Sequence, residues 1–146
     1  MMALRPTTHL LPLVGWKEDI GLPQLGPGKL VSKIDTGARS AALHAESISI
    51  IGRRVQFTIE LGGRRKACLA RLADLKRIKS SNGMSELRAV IETEIQLGAF
   101  RFAAYITLTD RADMGVPMLL GREAIKGRFL VHAGRTFLLS RRKVTA

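Results

Sequence analysis

The sequence is poor in the side chains that most metal, redox and base-stacking chemistry requires. Its one cysteine, Cys68, can neither close an intrachain disulfide nor build a thiolate zinc cage. The only three histidines, His9, His44 and His132, are scattered, and no His-Glu-x-x-His occurs. A Gly-x-x-x-x-Gly-Lys-Ser/Thr phosphate loop is missing too, so the residues ask for neither zinc nor ATP as a cofactor. Aromatic residues make up 5% of the chain, poor equipment for stacking on single-stranded bases. No apolar run approaches the roughly 18–20 residues of a membrane span. Leu10-Leu11-Pro12-Leu13-Val14 is too short for a signal-peptide core. A reducing cytoplasm without membrane attachment is the expected location.

Acidic residues are the last scarcity. Twelve Asp and Glu face 24 Lys and Arg, a net charge of +12 on 146 residues. Nine of the basic side chains lie between Gly52 and Lys79, opposed only by Glu60 and Asp74. Such an excess speaks about partners rather than fold and suits nucleic acid, an acidic membrane surface or an acidic substrate. It is equally compatible with a solvated basic face that has no dedicated partner.

The length and the 46% hydrophobic content suit one globular domain. Residues 1–14 have no period and read as a flexible N-terminal arm, leaving 15–146 as a single domain. The Pro- and Gly-rich stretch from Gly21 to Gly28 argues against helix. Beyond it the pattern is period two. Val55, Phe57, Ile59 and Leu61 alternate with polar residues up to a Gly62-Gly63 turn. Ile91–Leu97 and Phe100–Leu108 alternate on either side of Gly98-Ala99 and predict a β-hairpin. Residues 29–35, 47–51, 117–120, 129–132 and 136–139 are further short strand candidates, and Cys68 reads as a small hydrophobe on a strand. Leu69–Asn82 suits an exposed loop or hairpin. Only Gly121–Lys126 has a helical flavour. Many short strands punctuated by glycine predict an all-β fold, an antiparallel sandwich or barrel.

One strand candidate delivers an acid into a tight turn, in Val31-Ser32-Lys33-Ile34-Asp35-Thr36-Gly37-Ala38. Gly37 permits close approach of another chain or a substrate. Thr36 offers a hydroxyl on a stiff stem, and Asp35 a carboxylate at a rigid strand end. By itself Asp-Thr-Gly is also an ordinary turn. Some eighty residues later Pro117-Met118-Leu119-Leu120-Gly121-Arg122 leads into the short helix candidate.

Together these two segments resemble the retropepsin-like aspartic proteases, where an Asp-Thr/Ser-Gly-Ala loop pairs with a later apolar-apolar-Gly segment. The sequence is also similar to a bacterial family named for ATP-dependent zinc proteases, the RimK-associated retropepsin-like proteins. Further matching residues are Gly15-Trp16, Lys33–Ala45, Ser80–Gly83, Glu86-Leu87-Arg88, Thr107–Arg111 and Met114. The resemblance spans residues 13–139. It implies a closed single-lobe barrel with one short helix after Leu119-Leu120-Gly121. It also implies half of an aspartic protease site per chain, with Asp35 meeting its own copy across a homodimer axis. Thr36, Gly37, Ala38, Leu119, Leu120 and Gly121 would support the active loop.

Retroviral enzymes carry an Asp two residues after the Gly of the motif, paired with an Arg after the later Gly. Here Arg39 and Arg122 occupy those places, so that pair cannot form. Arg39 is free to meet an acidic substrate group or a carboxylate such as Glu86. His44 and Arg122 are further candidates for substrate contact. The basic segment around Arg64–Gly83 lies where a covering flap would come. The association of this family with ATP-grasp glutamate ligases implies trimming of glutamate-rich tails, and the net charge suits an acidic peptide. The alternative is a non-catalytic basic adaptor that binds ribosomal RNA, a ribosomal protein or another acidic partner.

Overall fold

Period-two alternation becomes strand through most of the chain, because a pleated segment buries every second side chain. The computed structural model describes residues 10–79 and 82–140. Its strands are β1 (Leu13–Gly15), β2 (Lys17–Gly21), β3 (Lys29–Ile34), β4 (Ala41–His44), β5 (Glu46–Ile51) and β6 (Arg54–Leu61). They continue with β7 (Arg64–Lys79), β8 (Ser85–Leu97), β9 (Phe100–Thr109), β10 (Met118–Leu120) and β11 (Leu130–His132). The single α-helix among the described residues is α1 (Arg122–Ile125), directly after Gly121.

Six strands close a barrel in the order β2-β3-β10-β4-β9-β8, with Gly21 of β2 pairing Gln96 of β8. Ile20, Leu43, Ile91, Ile95, Ile106, Leu108, Met118 and Leu120 are buried in its interior. The sheet continues from β8 through β7 and β6 to an edge at β5. A register shift between Leu72 and Asp74 divides β7 into a half paired with β6 and a half paired with β8. Bulges of this kind bend a strand. Val55, Phe57, Ile59 and Leu61 of β6 are buried beside Cys68, each worth about 1.5–3 kcal/mol. The turn after β6 is stapled to the Pro- and Gly-rich loop, where Gly62 N donates to Lys29 O. Gly28 has φ of +95°, and a Cβ there would lie 2.5 Å from Gly62 Cα.

Three sequence expectations need correction. The barrel is not purely antiparallel, because β1 with β11, β3 with β10 and β4 with β9 are parallel. Periodicity reports which face is buried and says nothing about strand direction. Leu13 and Val14, assigned to the flexible arm, form β1, and Val14 is fully buried; residues 1–9 of that arm lie outside the described residues. Residues 136–139 do not form a strand. The stretch from Leu69 resolves as strand through Lys79, while Ser80 and Ser81 lie outside the described residues.

Residues 138–140 are held instead by one buried carboxylate. Glu18 of β2 has no exposed surface, and its two oxygens accept from the amides of Gly15, Leu138, Leu139 and Ser140 and from the Ser140 hydroxyl. Burial pushes the Glu18 carboxyl up, but the Ser140 hydroxyl and the Gly15, Ser140 and Leu139 amides outweigh it and hold it below its ordinary value. A carboxyl lowered in the folded state stabilises fully above its unfolded value and loses that contribution as pH falls through the folded one. Thermal melts should therefore show Tm dropping on the acid side of the usual carboxylate range. Glu18→Ala should destabilise by about 3–5 kcal/mol in urea melts, since it strands several buried donors, and should flatten that acid dependence.

Candidate active site

The Asp35 loop grows out of the parallel pair β3–β10. Register sets Ile34 beside Leu120, and the next amide, Asp35 N, donates to Leu120 O at 2.9 Å. Asp35 is half-buried, and its Oδ1 accepts from Gly37 N at 3.0 Å, which curls the loop around the carboxylate. Ala38 N closes the turn on Asp35 O at 3.2 Å. The amides at the start of α1 have no partners within the helix, and the loop supplies them. Arg122 N donates to Ala38 O at 2.8 Å and Glu123 N to Arg39 O at 3.0 Å. The Arg122 guanidinium donates to Thr36 O and to Gly37 O, both at 3.1 Å. Thr36 and Gly37 themselves stand exposed.

Gly121 makes this contact possible. A Cβ at that position would lie 2.5 Å from Ser40 O and 2.8 Å from Ser40 N, inside backbone that cannot yield cheaply. Leu120 is buried and Leu119 half-buried, so Leu120 anchors the segment in the core while its carbonyl holds Asp35.

The other candidate residues separate into distinct roles. Arg122, read as a substrate contact, spends its guanidinium on the loop backbone. Arg39 lies 3.8 Å from Glu123, not from Glu86, and both side chains are exposed, so that pair adds little. Glu86 lies 3.6 Å from Arg88. His44 is held at the start of β10 while Asp35 is held at its end: the His44 amide donates to Pro117 O, and the Asp35 amide to Leu120 O. His44 Nδ1 accepts from Arg111 N at 3.0 Å, and Nε2 lies 3.6 Å from Glu46. A cavity of about 340 Å³ opens there, lined by His44, Glu46, Glu60, Arg65 and Arg111. Arg65, hydrogen-bonded at 2.9 Å, holds the Glu46 carboxyl below its usual range, with a smaller contribution from His44.

Two contacts of the loop are set by the tertiary structure, although the sequence marks the residues or segments that make them. One is the Arg122 clamp. The other is made by the ribbon of β7 and β8, which bends so that Lys76 Nζ donates to Ser40 Oγ at 3.4 Å, tying the ribbon to the active loop. That contact sets Lys76 of the ribbon against the loop that carries Asp35.

The family described as "RimB-like: Retropepsin-like aspartic endopeptidase RimB" matches residues 13–142. The chain belongs to the RimB-like family. A curated relative from Shewanella pealeana, named a "Probable alpha-L-glutamate ligase", is 38% identical over 135 residues, covering 87% of this chain and 30% of the relative. A relative of the same name from Parasynechococcus marenigrum is 34% identical over 127 residues, covering 82% of this chain and 27% of the relative. The chain thus spans under a third of the length of these curated relatives. A crystal structure of a Legionella pneumophila protein of unknown function superposes with a TM-score of 0.73 at 27% identity, over 88% of this chain and 98% of that one. The RimB-like chain therefore shares a retropepsin-like barrel fold with a solved structure.

Two substitutions test the loop's construction. Gly121→Ala should cost about 2 kcal/mol or more in a denaturant melt, because the new methyl meets Ser40 backbone. Arg122→Ala should leave the melt within a few degrees of wild type, yet lower any Asp35-dependent turnover about tenfold, since it frees the Thr36 and Gly37 carbonyls.

Proposed function

We propose that this RimB-like chain is an aspartic endopeptidase that acts as a homodimer, with Asp35 of each copy meeting on the axis. The observation that carries the proposal is the clamped Asp35 loop. A carboxylate at a strand end, fixed by Leu120 O, Gly37 N and Arg122, is presented beside exposed Thr36 and Gly37. An exposed turn on an isologous surface is suited to meeting its own copy. Thr36 would then hydrogen-bond across the axis.

Two carboxylates about 3 Å apart cannot both ionise easily, so the pair keeps one proton. The ionised Asp35 takes a proton from water as the water oxygen bonds to the scissile carbonyl carbon. The protonated partner's Asp35 gives its proton to the carbonyl oxygen. Collapse of the tetrahedral species breaks the C–N bond: the leaving amine takes up the proton gained from water, and the partner's Asp35 takes back a hydroxyl proton as the new carbonyl forms, which restores the shared proton. The chain's own side chains carry every proton transfer in this sequence.

The proposed substrate is an acidic, glutamate-rich peptide or protein tail. The net charge of +12 supports it, as does the similarity to relatives named for glutamate ligation, which would supply such a tail. A basic rim would steer the acid inward, and screening within about 8 Å at physiological salt would slow the encounter. Glutamate-rich peptides should be cleaved by wild type, and Asp35→Asn should lower kcat about a thousandfold or more. kcat/KM should fall as salt rises, and sedimentation should show a dimer at working concentration. Equal cleavage by wild type and Asp35→Asn overturns the dyad. Salt-sensitive binding of acidic partners or RNA with no cleavage by either protein favours the adaptor reading.

A further inference from the structure

Pairing along the β7–β8 ribbon, which we read as the flap, divides its side chains between two faces. Residues directly opposite each other in an antiparallel ladder share a face. Leu75 with Ala89, Arg77 with Leu87 and Lys79 with Ser85 make one; Asp74 with Val90, Lys76 with Arg88 and Ile78 with Glu86 make the other. Lys76 reaches Ser40, so the second face is the one turned toward the active loop. Arg77 and Leu87 on the opposite face are exposed, whereas the Arg88 side chain retains only 17% of its surface.

Arg88 is incompletely satisfied. Its Nε is buried without a hydrogen-bond partner among the described residues. Its terminal nitrogen lies 3.6 Å from Glu86, an ion-pair distance too long for a hydrogen bond, and Glu86 is itself exposed. A buried charged donor left unbonded is costly, and a planar guanidinium is shaped to take a carboxylate through two parallel bonds. A cavity of about 450 Å³ opens beside it at the edge of β8, lined by Arg88 with its chain neighbours Glu86 and Leu87 and by Ser47, Thr109 and Asp110. Both acids that border this space, Glu86 and Asp110, are solvent-exposed, where their charge is screened.

We infer that Arg88, with Lys76 beside it on the inner face of the flap, is the specificity-determining residue that takes a carboxylate side chain of the substrate. Glu86 occupies the guanidinium in the empty protein and gives way to the incoming acid. This inference rests on the peptidase reading for what the flap covers, but it concerns recognition and not the chemical step.

Binding of fluorescent hexaglutamate and hexaglutamine peptides, followed by anisotropy on the full chain carrying Asp35→Asn, tests it without turnover. The glutamate peptide should bind more tightly. Adding Arg88→Leu should weaken it about tenfold or more and leave the glutamine peptide unchanged. Arg88→Lys should recover part of the loss. Glu86→Gln should tighten the glutamate peptide by removing its competitor, a result that a merely structural Arg88–Glu86 pair does not produce. If Arg88→Leu does not fold, the Arg88→Lys and Glu86→Gln measurements carry the test. A glutamate preference that neither the Arg88 nor the Glu86 substitutions move overturns the inference. An Arg88-dependent preference in a protein that cleaves nothing leaves it standing while the peptidase reading falls.

Discussion

The backbone contact between Gly121 and Ser40 is the constraint on which the rest of the site depends. It brings the end of β10 against the loop that leaves β3, at a separation no side chain at position 121 would allow. Once those two backbones touch, the free amides of α1 find the loop carbonyls, and Arg122 reaches Thr36 and Gly37. Asp35 is thereby placed by groups that are already hydrogen-bonded, so little freedom remains to be lost when a reacting group arrives. The parallel β3–β10 pair matters for the same reason. It ends both strands at one place, where an antiparallel pair would have put their ends apart.

Charge in this chain is divided between internal work and outward display. Glu18 is consumed inside the fold, where it gathers four backbone amides and a hydroxyl that would otherwise be buried unpaired. Arg122 is likewise spent on carbonyls. Most of the remaining cations are exposed, and the segment from Arg64 to Lys79 carries many of them out along β7. An acidic partner would therefore meet a long-range field from the whole molecule and a short-range donor at only a few positions.

Much of the architecture was legible from alternation. The β6 residues Val55, Phe57, Ile59 and Leu61 and the β8–β9 hairpin lie where period two places them, because each strand buries one face. The Asp35 loop and its Leu119-Leu120-Gly121 support were legible from resemblance, through two short motifs some eighty residues apart. Other features left no local trace. Thr136–Leu139 carries a strand-like pattern, yet residues 138–140 bind a carboxylate 120 and more positions away. His44 lies nine residues from Asp35 in the chain, but β4 carries it along β10 toward Pro117.

By itself, the sequence determined which face of the alternating strands would be buried, where the chain would turn between them, and that a single acid would stand at the head of an Asp-Thr-Gly loop. These follow from side-chain chemistry within a few neighbours. Strand direction, the reach of Arg122 to the loop, the bend that lays Lys76 on Ser40 and the unfilled bond of Arg88 were decided only in the tertiary structure. Each depends on which strands lie side by side, and that is fixed by closing one barrel around one core.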